Sequence, residues 1–385
     1  MPLHLLFRNT RAKYSEGVIV LKIRTDNGES AAFHDMWCTT DRNRVHAIAR
    51  SNDFESDISV TSQYVSHHSK DYLIFFLAST DPREGQIFNL RDTALDERVG
   101  LITPINAIGS REHIWSEDEY FEAVAASVFW DLLSDTNGYS IDAPLTSARE
   151  YVISDFYDPC LSLLVVNPRA FPDFDIERYL PGLFSYGYSL YIPGRQVSSG
   201  FTFKTLPTGK DLRIPPVHDP YLGEGYLKNL YTAMLPYEQN SIAGFLLQYQ
   251  VFEMLMQMIF TERLTGFKDA VNKFTGTASD LREILDQVQK LSAERDRIKA
   301  SIDAAGVNAG LLKDLGIACK ELLADSGKFL RSEQVSDLVY DVRNLIFHNY
   351  RSIPTGSLSK IEIINAELVS AMPRLLARPK QIKSV

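Results

Sequence analysis

The stretch YEQNSIAGFLLQYQVFEMLMQMIFTERL, residues 237–264, decides how the C-terminal part of the chain folds. Apolar side chains dominate it and no proline interrupts it, which is typical of one long helix. A helix that is apolar on most of its faces has to be covered by other helices. No uninterrupted apolar run in the chain approaches the roughly 20 residues that a membrane span needs. We therefore expect a core helix and no membrane segment.

The sequence that follows continues the helical pattern. Four further segments place apolar residues at helical spacing, namely residues 278–303, 308–325, 332–350 and 357–378. The last two segments begin with Ser332 and Ser357, and serine commonly caps the start of a helix. Helices joined by short connections are typical of an up-and-down bundle. The sequence therefore predicts an all-α domain over residues 236–377.

The first 225 residues have a different texture, rich in β-branched and aromatic residues bounded by turn formers. This pattern predicts strands within residues 17–25, 31–40, 57–68, 71–79, 151–156 and 160–168. Glycine, tyrosine and proline punctuate residues 183–206, which favours hairpins there. The texture changes after the proline-rich residues 212–226. We therefore predict a strand-rich domain over residues 1–225 and an α+β fold class for the chain.

One helix is predicted inside the strand-rich part, from Ser116 to Asp135. It has a serine at its start and acidic residues in its first turn, both of which favour a helix N-terminus. Its apolar residues recur at helical spacing and should face the sheet; they are Phe121, Val124, Ala125, Val128 and Leu132.

Charge and cysteine content narrow the class of protein. The chain has 40 Lys and Arg against 49 Asp and Glu; residues 236–385 hold 19 and 18 of these, so the acidity lies in the first part. A near-neutral C-terminal part can present a local basic groove to nucleic acid. The three cysteines are isolated, and no secretory signal is evident, so we expect a reduced, cytoplasmic protein without a disulfide framework.

The polar cluster in DVRNLIFHNY, residues 341–350, is the strongest candidate for chemistry. On a helix Asn344 and His348 share a face, and a long Arg343 side chain can reach a ligand beside His348. Pro354 prevents the helix from continuing, so His348 lies in the last turn, where the helix dipole favours imidazolium. An arginine that holds phosphate oxygens, a histidine that moves a proton and an amide that fixes geometry suit phosphoryl chemistry.

Arg343-Asn344-x-x-x-His348 resembles the RNxxxH motif, a form of R-x4-6-H, of the HEPN superfamily of nucleotide-binding helical bundles. The resemblance covers the predicted bundle and implies an all-α HEPN-like domain after the strand-rich domain. Many members are metal-independent endoribonucleases of toxin–antitoxin, abortive-infection and CRISPR-linked antiviral systems, and they pair two motifs across a homodimer. It implies that Arg343 holds the scissile phosphate, His348 acts as general base or acid, and Asn344 supplies the polar position.

Two further residues are supporting candidates. Arg343-x4-His348-x-Tyr350 also resembles the RX4HXY form of HEPN toxins, in which a nucleotidyltransferase antitoxin adenylylates the tyrosine; packing in the bundle or stacking on RNA are alternative roles for Tyr350. Glu253 interrupts the apolar run of the long helix, where an unpaired charge would be costly. It either contacts Arg343 or His348 or faces solvent.

The expected function is an antiphage or toxin-type endoribonuclease that acts on RNA as a homodimer through the bundle, without metal or cofactor. A non-catalytic HEPN module that binds a nucleotide or a protein, and a toxin regulated through Tyr350, are the alternatives. The strand-rich domain contains no motif with a recognisable chemistry. By analogy with fused HEPN effectors we expect it to sense a trigger or to hold the nuclease inactive, and it could bind a phage protein, position RNA or shield the groove of the bundle. A phage trigger or an antitoxin protein is a further candidate partner of the chain.

Overall fold

A computed structural model describes the backbone of most of the chain and its side chains from residue 60 onward, residue 270 excepted. The described residues are 21–24, 30–41, 44–51, 54–64, 72–79, 85–133, 150–158, 161–193, 195, 197, 200–223, 225–272, 274–277, 282, 293–307, 310–330 and 332–377. The chain forms two compact units. The strand-rich unit comprises residues 1–174, 188–196 and 206–213, and the helical unit comprises residues 175–187, 197–205 and 214–385. The helical unit thus takes in segments that precede residue 225.

The strands belong to two sheets. In chain order the described strands are β1 (Leu21–Arg24), β2 (Ser30–Asp41), β3 (Arg44–Ser51), β4 (Phe54–Ser62), β5 (Leu73–Ser79), β6 (Phe88–Asp92), β7 (Glu97–Pro104), β8 (Glu150–Val152), β9 (Leu161–Val166), β10 (Tyr188–Leu190) and β11 (Asp211–Ile214). One sheet has the order β1-β2-β3-β4-β8, and the other has the order β10-β5-β9-β7-β6-β11. Neighbouring strands of the first sheet are antiparallel except for β4 and β8, which run parallel.

Helix α1 (Glu119–Leu133) supplies the helical part of the strand-rich unit. Asp118, rather than Ser116, caps it, because the Asp118 carboxylate accepts hydrogen bonds from the backbone of Tyr120 and Phe121, both at 3.1 Å. All the apolar residues predicted to face the sheet are buried. Six buried residues likewise make up strand β9, as expected where a strand lies inside a covered sheet. The α+β class is confirmed, with strands in the first half and mostly helices in the second.

The predicted hairpins over residues 183–206 are absent from the described part of that stretch. Helix α2 (Leu180–Ser185) occupies its beginning. Gly187 then adopts a positive φ of 83°, and its backbone N–H bonds to the carbonyl of Phe184, which is how helices commonly end. Strand β10 follows and pairs with β5 rather than with a neighbouring strand. The glycine that was interpreted as a hairpin turn is a helix terminator.

The helical unit is built from the predicted helices with shifted ends. After α2 the described helices are α3 (Tyr226–Asn229), α4 (Ser241–Asn272), α5 (Glu294–Ala304), α6 (Lys313–Asp325), α7 (Val335–Asn349) and α8 (Leu358–Leu375). Neither predicted serine caps a helix through its side chain: the Ser332 hydroxyl accepts from the Gln334 backbone before α7 begins, and the Ser357 hydroxyl donates to Asp325. The predicted helix over residues 278–303 is described from Glu294, and residues 278–281 and 283–292 lie outside the described residues.

Helix α4 packs against α5 and α8, and α6 packs against both α7 and α8. Helix α4 begins after Asn240, whose side-chain oxygen accepts hydrogen bonds from the backbone N–H groups of Ile242 and Ala243. Its Ser241–Asp269 stretch is long and apolar enough to cross a membrane by length and composition alone. Half of the relevant window is buried, and core helices of soluble proteins meet the same test. Polar residues such as Gln250 divide this stretch, so it contains no long uninterrupted apolar run although its average hydropathy is high enough for a membrane span.

Candidate functional site

Helix α7 carries the predicted motif at its C-terminal end. Its apolar residues Leu338, Val339, Val342, Leu345 and Ile346 are buried, as the helical period predicted. Arg343 and Asn344 are half-buried, whereas His348 is exposed in the last turn. A 3-10 turn, Tyr350–Ser352, follows the helix and precedes Pro354. Burial of one face therefore leaves the motif at the edge of the bundle, between core and solvent.

Arg343 is held by several groups at once. Its Nη1 donates a hydrogen bond of 3.0 Å to Oδ1 of Asn344. Its Nε lies 3.9 Å from Oε1 of Glu294, and the two side chains are only 21% and 24% exposed. Its Cζ lies 5.8 Å from the ring centroid of Tyr249 and 4.7 Å from that of Phe347. An arginine restrained on several sides loses little freedom when it binds an anion.

Glu294 and Tyr249 form the buried support of this arginine. Tyr249 is 1% exposed, and its hydroxyl donates a hydrogen bond of 2.7 Å to the same Oε1 that faces Arg343. Burial of the phenol, together with this bond and the negative charge of Glu294, raises the pKa of Tyr249. The tyrosine therefore stays protonated and donates to the carboxylate, which in turn faces the guanidinium at 3.9 Å without a hydrogen bond to Nε. Helices α4, α5 and α7 each contribute one residue to this contact.

His348 and Tyr350 lie on the open side of the motif. The ring centroids of Phe347 and His348 are 6.3 Å apart, and no hydrogen bond joins Arg343 to His348 in the described part of the chain. Phe347 therefore contacts the arginine and neighbours the histidine. Tyr350 is 46% exposed, so of its alternative roles it does not serve as a buried packing residue.

Glu253 lies on the exposed side of α4. Its charge contributes to the raised pKa values of Tyr249 and Tyr226, so it lies near the site. No ion pair joins it to Arg343 or His348 among the described residues, and the carboxylate in contact with Arg343 is that of Glu294. The argument from the cost of burial does not apply to Glu253, because its position on the helix faces solvent.

Sequence reasoning missed three residues of this site: Tyr249, Glu294 and Phe347. Tyr249 precedes Glu253 by one helical turn, but nothing in the sequence pairs it with Glu294, which is 45 residues away. Phe347 follows the buried Leu345 and Ile346 directly, so the sequence does not separate it from the apolar face of α7. Its position one turn after Arg343 was the available signal, because residues four apart on a helix are neighbours.

The chemical capacity of the site is that of a cation and an imidazole without metal ligands. No group of three or more His, Cys, Asp or Glu residues that could hold a metal ion occurs in the part of the chain that the structure describes. Arg343 can bind an oxyanion, and His348, open to solvent, can accept or donate a proton. Comparison of the chain with protein-family models, curated proteins and solved structures finds no match.

Proposed function

We propose that the chain is a metal-independent endoribonuclease of the HEPN type, belonging to an antiphage or toxin–antitoxin system of the cytoplasm. The observation that carries the proposal is the contrast between Arg343 and His348 on one helix end. The arginine is half-buried and restrained by Glu294 and Asn344, while the histidine is exposed. A half-buried cation and an exposed imidazole at one helix end suit cleavage of a phosphodiester by its own 2′-hydroxyl.

In the proposed reaction Arg343 holds the non-bridging oxygens of the scissile phosphate. His348 takes the proton of the 2′-hydroxyl as its oxygen attacks phosphorus, and the bond from phosphorus to the 5′ oxygen breaks. The leaving 5′ oxygen takes up a proton, which the histidine of a second copy supplies. The products are a 2′,3′-cyclic phosphate and a 5′-hydroxyl. The reaction is a transesterification, so neither water nor a redox partner enters it.

The proposal requires a homodimer, because one chain supplies one arginine and one histidine of the motif. The motif lies at the edge of the helical unit with His348 exposed, which leaves this end available to a second copy. A closed twofold arrangement would bring two identical motifs together. We propose that the strand-rich unit regulates the nuclease by binding a phage trigger or an antitoxin protein.

Expression of the wild-type chain beside His348→Ala and Arg343→Ala tests this function on total RNA. Extracts of cells that express the wild type should form RNA fragments with EDTA as well as without it, since no metal takes part. Both substitutions should abolish them. Asn349→Ala, at an exposed position next to His348, is the matched control and should cleave as wild type does. Fragments that persist in His348→Ala would reject the catalytic role.

Exposure of Tyr350 favours a second candidate function, in which the chain is the substrate of a nucleotidyltransferase. An exposed phenol can act as the acceptor of an adenylyl group, and the added negative charge next to Arg343 and His348 would block phosphate binding. Intact mass measurement of the chain after incubation with a nucleotidyltransferase from the same operon and ATP tests it, with Tyr350→Phe as control. A mass increase that persists in Tyr350→Phe would exclude this tyrosine as the acceptor.

A further inference from the structure

Phe347 is the apolar side chain of the motif that the bundle does not cover. The other apolar residues in the second half of α7, Val342, Leu345 and Ile346, are buried, whereas Phe347 is 54% exposed. Exposing half of a phenylalanine sacrifices part of the free energy that burial would provide. An exposed aromatic residue is informative when polar groups of a candidate site surround it.

Two arginines flank Phe347 in the sequence, four residues before it and four residues after it. The Arg343 guanidinium lies 4.7 Å from the ring centroid, and the neighbouring His348 is exposed. Arg351, four residues after Phe347, is exposed as well. The nearby carboxylate of Asp341 is bound to Arg295 at 2.5 Å, which neutralises it. An exposed aromatic ring thus lies in the sequence between Arg343, which contacts it within α7, and Arg351, which lies in the turn after the helix.

This combination matches the way proteins hold single-stranded nucleic acid. Aromatic rings stack on unpaired bases, and adjacent arginines contact the phosphates on either side. Within the proposed homodimer, the exposed Arg351 side chains of the two copies would repel each other if nothing lay between them. A polyanion between the two copies removes that repulsion. The charge therefore favours RNA over a protein as the occupant of the ring.

We propose that Phe347 is a stacking platform for an unpaired base of single-stranded RNA, next to the phosphate that Arg343 holds. The inference rests on the proposed function and narrows its substrate to RNA whose bases are free to leave the helical stack. The Arg343 guanidinium contacts one part of the Phe347 ring, and the base stacks on the exposed part. Duplex RNA, whose bases are paired and stacked, cannot use the platform.

Binding of an uncleavable oligonucleotide tests the platform. The probe is a short single-stranded RNA with 2′-deoxy nucleotides at every candidate cleavage position, followed by fluorescence anisotropy with the full chain. Phe347→Leu, which keeps an apolar side chain but removes the ring, should weaken binding about tenfold or more. Phe347→Trp should restore it. Ile363→Ala, at an apolar residue of α8 that is 50% exposed, is the control and should bind within about twofold of wild type.

Four outcomes would overturn the inference. Wild type that does not bind the probe, or that binds the duplex form equally well, contradicts a single-strand platform. Phe347→Leu that binds as tightly as wild type shows that the ring does not stack on a base. Phe347→Leu that becomes monomeric in ultracentrifugation, with binding lost in parallel, assigns the ring to a protein contact. Failure of the proposed function looks different, because His348→Ala would then still produce the same fragments while the probe binds normally.

Discussion

Glu294→Gln probes the support of the motif, because the substitution removes a charge and preserves the shape of the side chain. The glutamine oxygen can still accept the hydroxyl of Tyr249, so the loss is confined to the attraction for Arg343. At the 3.9 Å that separate Nε and Oε1, two unit charges attract by about 4 kcal/mol at an effective dielectric of about 20. Both side chains retain some exposure, and exposed pairs contribute about 1 kcal/mol or less. We therefore expect Glu294→Gln to weaken the attraction between residue 294 and Arg343 by about 1–2 kcal/mol.

If Glu294 fixes the guanidinium for phosphate binding, this loss appears mainly in the transition state. The expected result is a fall in kcat/KM for RNA cleavage of about tenfold, which corresponds to about 1.4 kcal/mol. The free energy of unfolding, measured with urea, should change less than that. Glu333→Gln is the matched control, because Glu333 pairs with Lys320 at 3.3 Å and is 90% exposed. It should change neither quantity by more than about 0.5 kcal/mol.

Two results would refute this account of Glu294. Cleavage by Glu294→Gln at the wild-type rate would show that Arg343 needs no carboxylate to bind phosphate. Cleavage that falls only in proportion to the unfolded fraction would make Glu294 a structural residue. An increase in cleavage would mean that Glu294 withholds the arginine from RNA, the reverse of positioning.

Three further predictions concern the helical unit. Gly182→Ala should lower the free energy of unfolding by about 1–3 kcal/mol, because an added Cβ would lie 2.0 Å from Cγ2 of Ile214. Gly266→Ala is the control: it lies inside α4 with no atom within 4 Å of the added carbon, and it should raise the free energy of unfolding by about 0.5–1 kcal/mol. Equal effects of the two substitutions in urea unfolding would contradict the packing of Gly182 against Ile214. Burial raises the pKa of Tyr226 from 10.0 to about 12. Above about pH 10 the unfolded tyrosine loses its proton while the folded one keeps it, so the free energy of unfolding should fall as the pH rises through this range. The fall should be less steep in Tyr226→Phe, and an equal slope in this variant would refute the prediction. Burial likewise raises the pKa of the Cys319 thiol, so mass spectrometry should find Cys319 alkylated only after unfolding; rapid labelling of the native chain would show that the α6 core opens.

The periodic parts of the fold were predictable because burial follows local patterns. The buried face of α1 and that of α7 both follow from apolar residues at helical spacing. Strands β3, β6, β7 and β11 were not predicted; in β6 the alternate residues Phe88 and Leu90 are buried, but the polar Asp92 takes the third buried position. The stretch around Gly187 was misinterpreted since a glycine with positive φ ends a helix as readily as it makes a hairpin turn.

The candidate site was predictable only where its residues are neighbours in sequence. Arg343, Asn344 and His348 could be found because they lie on one helix end. The contact of Glu294 with Arg343 joins two helices, and a single sequence holds no record of such pairs. For Glu253 the sequence left two alternatives, a contact with Arg343 or His348 and a position facing solvent, and the exposed position on α4 agrees with the second.

The chemistry of the cut ends tests the central claim most directly. The purified chain should be incubated with a defined single-stranded RNA in EDTA, and the fragments analysed by mass spectrometry. Wild type should leave 2′,3′-cyclic phosphate and 5′-hydroxyl ends, His348→Ala should leave the RNA intact, and a 2′-deoxy nucleotide at the cleaved position should block the cut. Fragments that end in a 3′-hydroxyl, or cleavage that continues in His348→Ala, would contradict the account.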